Sequence, residues 1–291
     1  MKIGVHGKEF SRQLNPLIER IFQILSMHKA EVHVSESFEK CLKAPVFKAF
    51  KRKVYKEGSD LKKLNIFLSI GGDGTLLESI THVRDRQTPI LGINTGRLGF
   101  LATISKEDVE SALTKVLAGA FTLDKRTLLR LESNKKLFGK LNFALNDFTI
   151  VKKDSSSMIT VHTYIDGEFL NSYWADGLIV STPTGSTGYS LSCGGPLVFP
   201  GSGNFILTPV SPHNLTVRPI VVSDNAELSF EVEGRIKKFL ISLDSRIAVV
   251  DESVKLKVVR EDFKANLIAL EGQHYFKTLR QKLNWGLDVR N

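Results

Sequence analysis

The sequence has few cysteines and no long apolar run. Cys41 and Cys193 are the only cysteines among 291 residues, and they lie far apart in the chain. We therefore expect no disulfide framework, and the composition suits a reducing cytoplasm. No stretch approaches the ~18 consecutive apolar residues of a transmembrane helix, and the N-terminus lacks the apolar core of a signal peptide. The sequence predicts a cytoplasmic protein with no membrane partner.

Acidic residues are outnumbered by basic ones, and part of the excess is local. The formal net charge is +9, and nine Lys or Arg between positions 40 and 63 face only Glu57 and Asp60. Such a run is typical either of a solvated helix and loop face or of a surface that attracts anions. The charge suits a polyanionic substrate without identifying one, and we do not expect a nucleic-acid partner.

The spacing of apolar residues predicts two domains of different architecture. Over residues 1–125, strand-like segments alternate with helical ones, which indicates an α/β domain with a Rossmann-like sheet. Over residues 126–270, short alternating strands and the hairpin signal Asp166-Gly167 indicate an all-β sandwich. Residues 271–291 contain a last predicted helix, 275–283, which we expect to pack back on the first domain.

Three local expectations within these domains can be compared with the structure. Ser105 is in the position of an N-cap for a helix that ends near Ala118. Phe143–Val151 has the pattern of one continuous strand, and Val254–Val259 that of a short one.

A glycine-rich string, Gly71-Gly72-Asp73-Gly74-Thr75, joins a predicted buried strand to a predicted helix. Ligands of an open α/β sheet bind outside the carboxyl ends of its strands, and glycines let backbone N–H groups approach phosphate oxygens. A carboxylate in such a place has two chemical uses: Asp73 holds Mg²⁺ or accepts a proton from an attacking hydroxyl. The alternative is an Asp that only caps the following helix. The string is neither a Walker A loop nor a G-x-G-x-x-G fingerprint.

Further polar strings follow other predicted strands. Gly92–Leu101 is a second glycine-rich turn, which is able to face the first. In Leu145-Asn146-Asp147, the amide offers a donor and an acceptor to adenine and the carboxylate can accept hydrogen bonds from ribose hydroxyls; a simple strand-end turn is the alternative. The longest string, Asp176–Pro196, is rich in glycine and hydroxyl groups, and its Tyr189 is a candidate for stacking on a base. Its alternative is an ordinary Ser/Thr/Gly surface loop.

Together these strings resemble the NAD kinase family, from about Ile66 to the C-terminus. The string that begins at Asp176 is the most specific part of the resemblance. The first loop is also similar to those of phosphofructokinases and of diacylglycerol- and sphingosine-type lipid kinases. Two segments, Asn171–Asp176 and Ser192–Gly195, look like the Bacteroidetes branch of the NAD kinases.

The resemblance implies a phosphotransferase with an alcohol acceptor. NAD kinases use ATP and a divalent metal cation, usually Mg²⁺, to phosphorylate the 2′-hydroxyl of the adenosine ribose of NAD, which gives NADP. The family also implies an α/β N-terminal domain with a phosphofructokinase-like glycine loop and a β-sandwich C-terminal domain. NAD is expected in the cleft and across the subunits of a homodimer or homotetramer.

Position by position, the resemblance assigns roles to residues of this chain. Asp73 matches the proposed catalytic carboxylate, with Gly74 beside it at the substrate; the one candidate metal ligand is Asp73 itself, through Mg-ATP. Asn146 and Asp147 match the pair that holds the adenine and ribose of NAD. Asp176 matches a carboxylate near the nicotinamide. The other predicted nucleotide-binding residues are Thr187, Gly188, Tyr189, Ser190, Leu191, Ser192 and Arg246.

Two positions depart from the family pattern, and three other functions remain alternatives. Glu78 stands where many relatives carry a basic residue, and Trp174 where some carry Arg. A lipid kinase would share the first loop but not the later strings. A non-catalytic NAD(P)-binding sensor would be expected to have lost Asp73 or the loop glycines. A nucleic-acid-binding protein is suggested by charge alone.

Overall fold

The computed structural model describes residues 1–59, 61, 64–96, 99–154 and 157–284. It forms two compact units, Met1–Lys125 with Ala265–Asn291, and Arg126–Lys264. Asp60, Lys62 and Lys63 of the basic run, and Arg97 and Leu98 of the second glycine-rich turn, lie outside the described residues.

The described residues contain six α-helices and seventeen strands. The helices are α1 (Asn15–Met27), α2 (Glu36–Glu39), α3 (Asp73–Val83), α4 (Val109–Leu117), α5 (Tyr189–Ser192) and α6 (Tyr275–Leu283). The first strands are β1 (Lys2–Gly7), β2 (Glu31–Ser35), β3 (Lys53–Tyr55), β4 (Ile66–Gly71), β5 (Ile90–Asn94) and β6 (Thr122–Ser133). They are followed by β7 (Phe143–Ala144), β8 (Asp147–Lys152), β9 (Ile159–Ile165), β10 (Glu168–Ala175), β11 (Gly177–Ser181) and β12 (Asn204–Val210). The last are β13 (Ile220–Ser223), β14 (Leu228–Gly234), β15 (Lys238–Leu243), β16 (Arg246–Asp251) and β17 (Leu256–Ala269).

The first unit is built on a parallel sheet with the strand order β3-β2-β1-β4-β5. Strands β4 and β5 are buried along their whole length, which explains their continuous apolar sequences. Helix α1 places Ile18, Ile21 and Leu25 in the core at helical spacing. The register pairs Gly7 with Ile70 and Gly71 with Asn94, so β1, β4 and β5 end at one edge of the sheet.

Part of the basic run has structural partners in this unit. The Arg52 guanidinium pairs with Glu39 (2.6 Å), and the Lys53 ammonium lies 2.6 Å from Glu31. These contacts favour the interpretation of a solvated face with local ion pairs, since neither basic group is left to bind a distant anion.

The second unit is a sandwich of two sheets. One contains β10-β9-β14-β17 with β6 and β7 beside β17, and the other has the order β13-β12-β11-β8-β15-β16. Their apolar faces share one core, in which the rings of Phe148 and Phe230 lie 6.1 Å apart. The predicted α/β fold followed by a β-sandwich is confirmed.

Several local predictions need correction. Helix α4 begins at Val109 after Asp108, and Ser105 donates to the Asp108 carboxylate instead of capping the helix. Strand β17 has 14 residues, far more than Val254–Val259, because it pairs with several partners in turn. The Asp166-Gly167 hairpin is confirmed, with φ of 52° and 83°.

The predicted strand Phe143–Val151 is also wrong as a single element. It is divided into β7 and β8 at Leu145 and Asn146. The buried carboxylate of Asp244 accepts the backbone N–H groups of these two residues. Those donors therefore serve a side chain and do not continue a ladder.

Candidate functional site

The first glycine loop leaves β4 and enters α3 directly. Helix α3 begins at Asp73, with Gly72 as its N-cap and no capping side chain. A Cβ on Gly72 or Gly74 would meet nothing within 4 Å, so the backbone at both positions faces open space. A Cβ on Gly71 would lie 2.2 Å from the Thr75 hydroxyl oxygen, which requires glycine there. This loop can present N–H groups to an anion at the start of a helix.

The Asp73 side chain connects the first glycine loop to the second. Its Oδ2 accepts the backbone N–H of Phe100 (2.8 Å), and its Oδ1 accepts those of Leu101 (3.0 Å) and Ala102 (2.9 Å). The interpretation of Asp73 as merely a helix cap is wrong, because its carboxylate binds a different loop. Three donors hold the carboxylate in one orientation at the carboxyl edge of the sheet.

The second loop is shaped from within by Asn94. Its amide donates to the Ala102 carbonyl (3.3 Å), and its Oδ1 accepts the N–H of Gly96 (2.7 Å). The Thr95 N–H donates to the Gly71 carbonyl (3.2 Å). The two glycine-rich strings are therefore adjacent, as the sequence predicted.

Glu78 forms a cluster with a residue near the end of β1 and with the residue that follows this strand. Its Oε1 lies 2.6 Å from the Lys8 ammonium, and its Oε2 lies 3.3 Å from His6 Nε2. His6 Nδ1 contacts the hydroxyl of Ser35 at 2.8 Å. Burial pushes the pKa of Glu78 upward, but the hydrogen bonds from His6 and Lys8 outweigh it, and the pKa is lowered. The acidic residue thus orients Lys8 at the edge that carries the glycine loop.

In the second unit, Asn146 and Asp147 lie where β7 gives way to β8. The Asn146 carbonyl accepts the N–H of Thr182 (2.9 Å), and the Thr182 hydroxyl donates to the Leu145 carbonyl (2.5 Å). A Cβ on Gly185 would lie 2.0 Å from the Asn146 carbonyl oxygen. The Asp176–Pro196 string is therefore packed directly against the Asn-Asp pair.

Asn146 and Asp147 carry polar side-chain atoms in a buried environment. Asn146 Oδ1 is buried and has no hydrogen-bond partner among the described residues. Asp147 is also buried; its burial and the nearby charge of Asp244 raise its pKa to about 7. A Cβ on Gly188 would lie 3.9 Å from Asn146 Nδ2 and 4.0 Å from Asp147 Oδ2. The structure thus brings Gly188 together with Asn146 and Asp147.

Residues 187–192 form a turn and the short helix α5. The Ser190 hydroxyl is buried and contacts that of Thr208 at 2.8 Å, so it faces the interior. The Thr187 hydroxyl donates to the Thr184 carbonyl (3.2 Å). Tyr189 is 44% exposed, which leaves its ring available for stacking. The remaining two residues, Leu191 and Ser192, are half-buried and exposed.

Asp176 and Trp174 lie at the end of β10 and have protein partners. The Lys152 ammonium is 2.7 Å from the Asp176 carboxylate. The Trp174 ring lies 4.3 Å from the His213 ring. The backbone N–H of His213 donates to the Trp174 carbonyl (2.9 Å). These contacts favour a structural role for His213 over a chemical one.

The guanidinium group of Arg246 has several partners within the protein. Its guanidinium donates to the carbonyls of Leu141 and Phe143 and lies 3.9 Å from Asp244. The family resemblance assigns a role to Arg246 in this turn but none to Asp244, which makes the closer contacts with Asn146 and Asp147. The available signal was an acidic residue in the turn between the paired strands β15 and β16.

Two kinds of feature are absent from the described part of the chain. It contains no helix long and apolar enough to cross a membrane. It also contains no group of three or more His, Cys, Asp or Glu side chains arranged to hold a metal ion.

Comparison with known proteins agrees with the motifs. The family model described as the ATP-NAD kinase N-terminal domain matches residues 3–121, and that of the ATP-NAD kinase C-terminal domain matches residues 145–270. The chain is 54% identical to the NAD kinase of Cytophaga hutchinsonii and 40% identical to that of Bacteroides fragilis, in each case over 100% of both chains.

Two solved structures have a similar fold. Yeast NADH kinase complexed with NADH superposes with a TM-score of 0.89 at 21% identity, over 100% of this chain and 89% of that one. An NAD kinase from Archaeoglobus fulgidus in complex with ATP gives a TM-score of 0.76 at 27% identity, over 98% and 99% of the two chains. The yeast likeness concerns the fold alone.

Proposed function

The chain belongs to the ATP-NAD kinase family, and from this premise we propose that it phosphorylates the adenosine-ribose 2′-hydroxyl of NAD with ATP. The family predicted from the motifs, including its Bacteroidetes branch, is confirmed by the family models and by full-length relatives. The observation that carries the proposal is the Asp73 carboxylate, which three N–H groups of the second loop hold beside an open glycine loop.

The proposed reaction uses this geometry. The ribose 2′-oxygen attacks the γ-phosphorus of ATP, the bond from that phosphorus to the β,γ-bridging oxygen breaks, and ADP leaves. The carboxylate of Asp73 takes the proton of the hydroxyl. A carboxylate offers about four lone-pair sites, and three are used by Phe100, Leu101 and Ala102, so one remains for the proton. Catalysis then rests mainly on the positions of fixed groups.

The donor phosphates are proposed to bind at the glycine loop. Gly72 and Gly74 let backbone N–H groups approach oxygens that gain charge during transfer. Mg²⁺ enters as part of the Mg-ATP substrate and would neutralise phosphate charge. The second loop fixes Asp73 during this step.

Lys8 is proposed as an additional contact of the donor phosphates. It follows Gly7, which pairs with Ile70 at the end of β4, so both strands lead to the same edge. Glu78 fixes its ammonium at 2.6 Å, and the Lys8 side chain is 54% exposed. Lys8 can thus supply positive charge in a chain that carries Glu78 instead of a basic residue.

NAD is proposed to bind through the second unit. The buried Asn146 Oδ1 can accept from the adenine amino group, and the Asp147 carboxylate can accept from ribose hydroxyls. Tyr189, Gly188 and Asp176 would line the rest of the site. The 44% exposure of the Tyr189 ring supports its stacking on a base.

The finer properties are proposals as well. We expect a cytoplasmic protein that functions as a homodimer or homotetramer, with an α/β domain over residues 1–125, a β-sandwich over 126–270, and a C-terminal helix within 271–291 that packs back on the first domain. Light scattering coupled to gel filtration measures the subunit number, and a monomer at assay concentration that retains full activity would contradict the assembly.

One assay tests the reaction. The purified chain is incubated with ATP, Mg²⁺ and NAD, and NADP is measured with an NADP-specific dehydrogenase. We expect NADP to accumulate one for one with ADP. Parallel reactions contain detergent-dispersed diacylglycerol in place of NAD. A folded protein that phosphorylates the lipid and forms no NADP would replace this proposal with the lipid kinase alternative.

A further inference from the structure

Asp244 binds the backbone on which the predicted NAD contacts are built. Its Oδ1 accepts the N–H groups of Asn146 (2.8 Å) and Asp147 (3.2 Å), and its Oδ2 accepts that of Leu145 (3.0 Å). The Asp244 N–H in turn donates to the Asp147 carbonyl (3.0 Å). Four hydrogen bonds thus tie the turn between β15 and β16 to three successive residues.

Arg246 compensates the charge of this buried carboxylate. The side chain of Asp244 is only 6% exposed, and a buried charge without partners would be strongly unfavourable. The Arg246 guanidinium lies 3.9 Å away and also donates to the carbonyls of Leu141 and Phe143. The two side chains of one turn therefore hold both ends of the segment 141–147.

We propose that Asp244 is a positioning residue for NAD binding, which presents Asn146 and Asp147 to the adenosine half of the nucleotide. The inference rests on the proposed function, because it assumes that this pair contacts NAD. The Asp244 side chain is buried and acts on this pair through the backbone N–H groups of Leu145, Asn146 and Asp147.

The same arrangement couples Asp244 to the charge of Asp147. The charged and titratable groups that act on Asp147 or are affected by it include Asp244 and Tyr189, and Arg246 lies 3.9 Å from Asp244. Burial raises the pKa of Asp244, and the three N–H groups and Arg246 act in the opposite direction. The pKa of Asp147 is raised to about 7, first by burial and second by Asp244. An ionised Asp147 accepts hydrogen bonds from ribose, so the KM for NAD should rise as the pH falls through this value.

The test is Asp244→Asn, followed by the KM for NAD and for ATP between pH 5.5 and 9. The amide keeps one acceptor oxygen but turns an NH₂ group toward the Leu145 N–H. We expect the KM for NAD to rise about tenfold while the KM for ATP stays within about twofold. Because the variant removes a negative charge, the rise in KM at acid pH should begin at a lower pH. Asp147→Asn should abolish that rise.

The matched control is Asp224→Asn. Asp224 is an equally buried acidic residue of the second unit and pairs with Arg260 at 2.9 Å. It should leave the pH profile of the KM for NAD unchanged. An unchanged KM and an unshifted profile in Asp244→Asn would overturn the inference, and a raised KM in Asp147→Asn would then still support the proposed site. Wild-type protein that forms no NADP would instead refute the function.

A second variant covers the case in which Asp244→Asn does not fold. Arg246→Met removes the compensating cation and leaves Asp244 in place. The uncompensated negative charge should shift the acid limb of the KM profile to higher pH, which is opposite to the shift expected for Asp244→Asn. A shift to lower pH, or none, would overturn the inference.

Discussion

A Cβ placed on Gly99 would lie 1.9 Å from Oδ1 of Asp73. The backbone of the second glycine loop therefore approaches the carboxylate more closely than any other residue type permits. Because the next residues donate their N–H groups to the same carboxylate, the position of Asp73 depends on a loop that lies almost thirty residues later.

Gly99→Ala should consequently impair catalysis with little effect on folding. The methyl group displaces the carboxylate, and a displacement of ~1 Å at a reacting group can cost about 10²-fold in rate. Steady-state kcat is the measurement. Gly96→Ala is the matched control in the same loop, since its Cβ would come no closer than 4.0 Å to the Asn94 Oδ1. Equal kcat values for the two variants would show that the close approach has no function.

Asp73→Asn should reduce kcat by about 10²–10⁴-fold, because the amide cannot take the proton of the ribose hydroxyl. The amide also offers only one acceptor to the three N–H donors. Asp85→Asn, at an exposed position after the other end of α3, serves as the control and should retain full activity. Wild-type kcat in Asp73→Asn with Mg²⁺ saturating would contradict the proposed base.

Lys8→Ala should raise the KM for ATP about three- to tenfold and leave the KM for NAD unchanged, because a partly exposed cation near phosphates contributes moderately. Lys2→Ala is the matched control. Lys2 is the first residue of β1, whereas Lys8 follows the last residue of the same strand. Initial rates at varied ATP decide the question. Identical KM values for ATP in both variants would exclude Lys8 from the donor site.

Asp147→Asn should increase stability at neutral and alkaline pH. The folded-state pKa of Asp147 is about 7, above the ordinary value of 3.8, so the folded protein binds the proton more tightly than the unfolded chain does. The contribution of Asp147 to the free energy of unfolding is fully present below about pH 4 and is lost as the pH rises through about 7. The loss is on the order of a few kcal/mol.

Urea unfolding of the wild type and of Asp147→Asn at pH 5 and pH 8 measures this effect. The variant should gain most relative to the wild type at pH 8, where the wild type holds a buried charge. The pH 5 pair is the internal control, because Asp147 is then already neutral. A stability difference that does not change between the two pH values would refute the raised pKa.

Much of the fold was predictable from local patterns. Helix α6 matches its predicted bounds, because helical spacing of apolar residues is a local property. The interruption at Leu145 and Asn146 was not predictable, since its cause is Asp244, nearly one hundred residues later. Strand β13 was missed as well, because Ile220–Ser223 is short and alternates between half-buried and exposed positions.

Glu78 illustrates the same limit in the candidate site. In the sequence it is an acidic residue where relatives carry a basic one, which puts a phosphate contact in doubt. In the structure it orients Lys8, which has no motif of its own. The pairing arises because β1 and β4 are parallel neighbours, and that neighbourhood is a property of the sheet.

By itself, the sequence determined that a glycine loop with an acidic residue follows a buried strand, and that a hydroxyl-rich loop follows another. These features depend on residue type and spacing over a few positions. Only the tertiary structure decided that Asp73 is held by residues 100–102 and that Asp244 holds Asn146 and Asp147. The donors in both cases are backbone N–H groups, which every residue except proline carries. No pattern of side chains could therefore reveal these partners before folding brought them together.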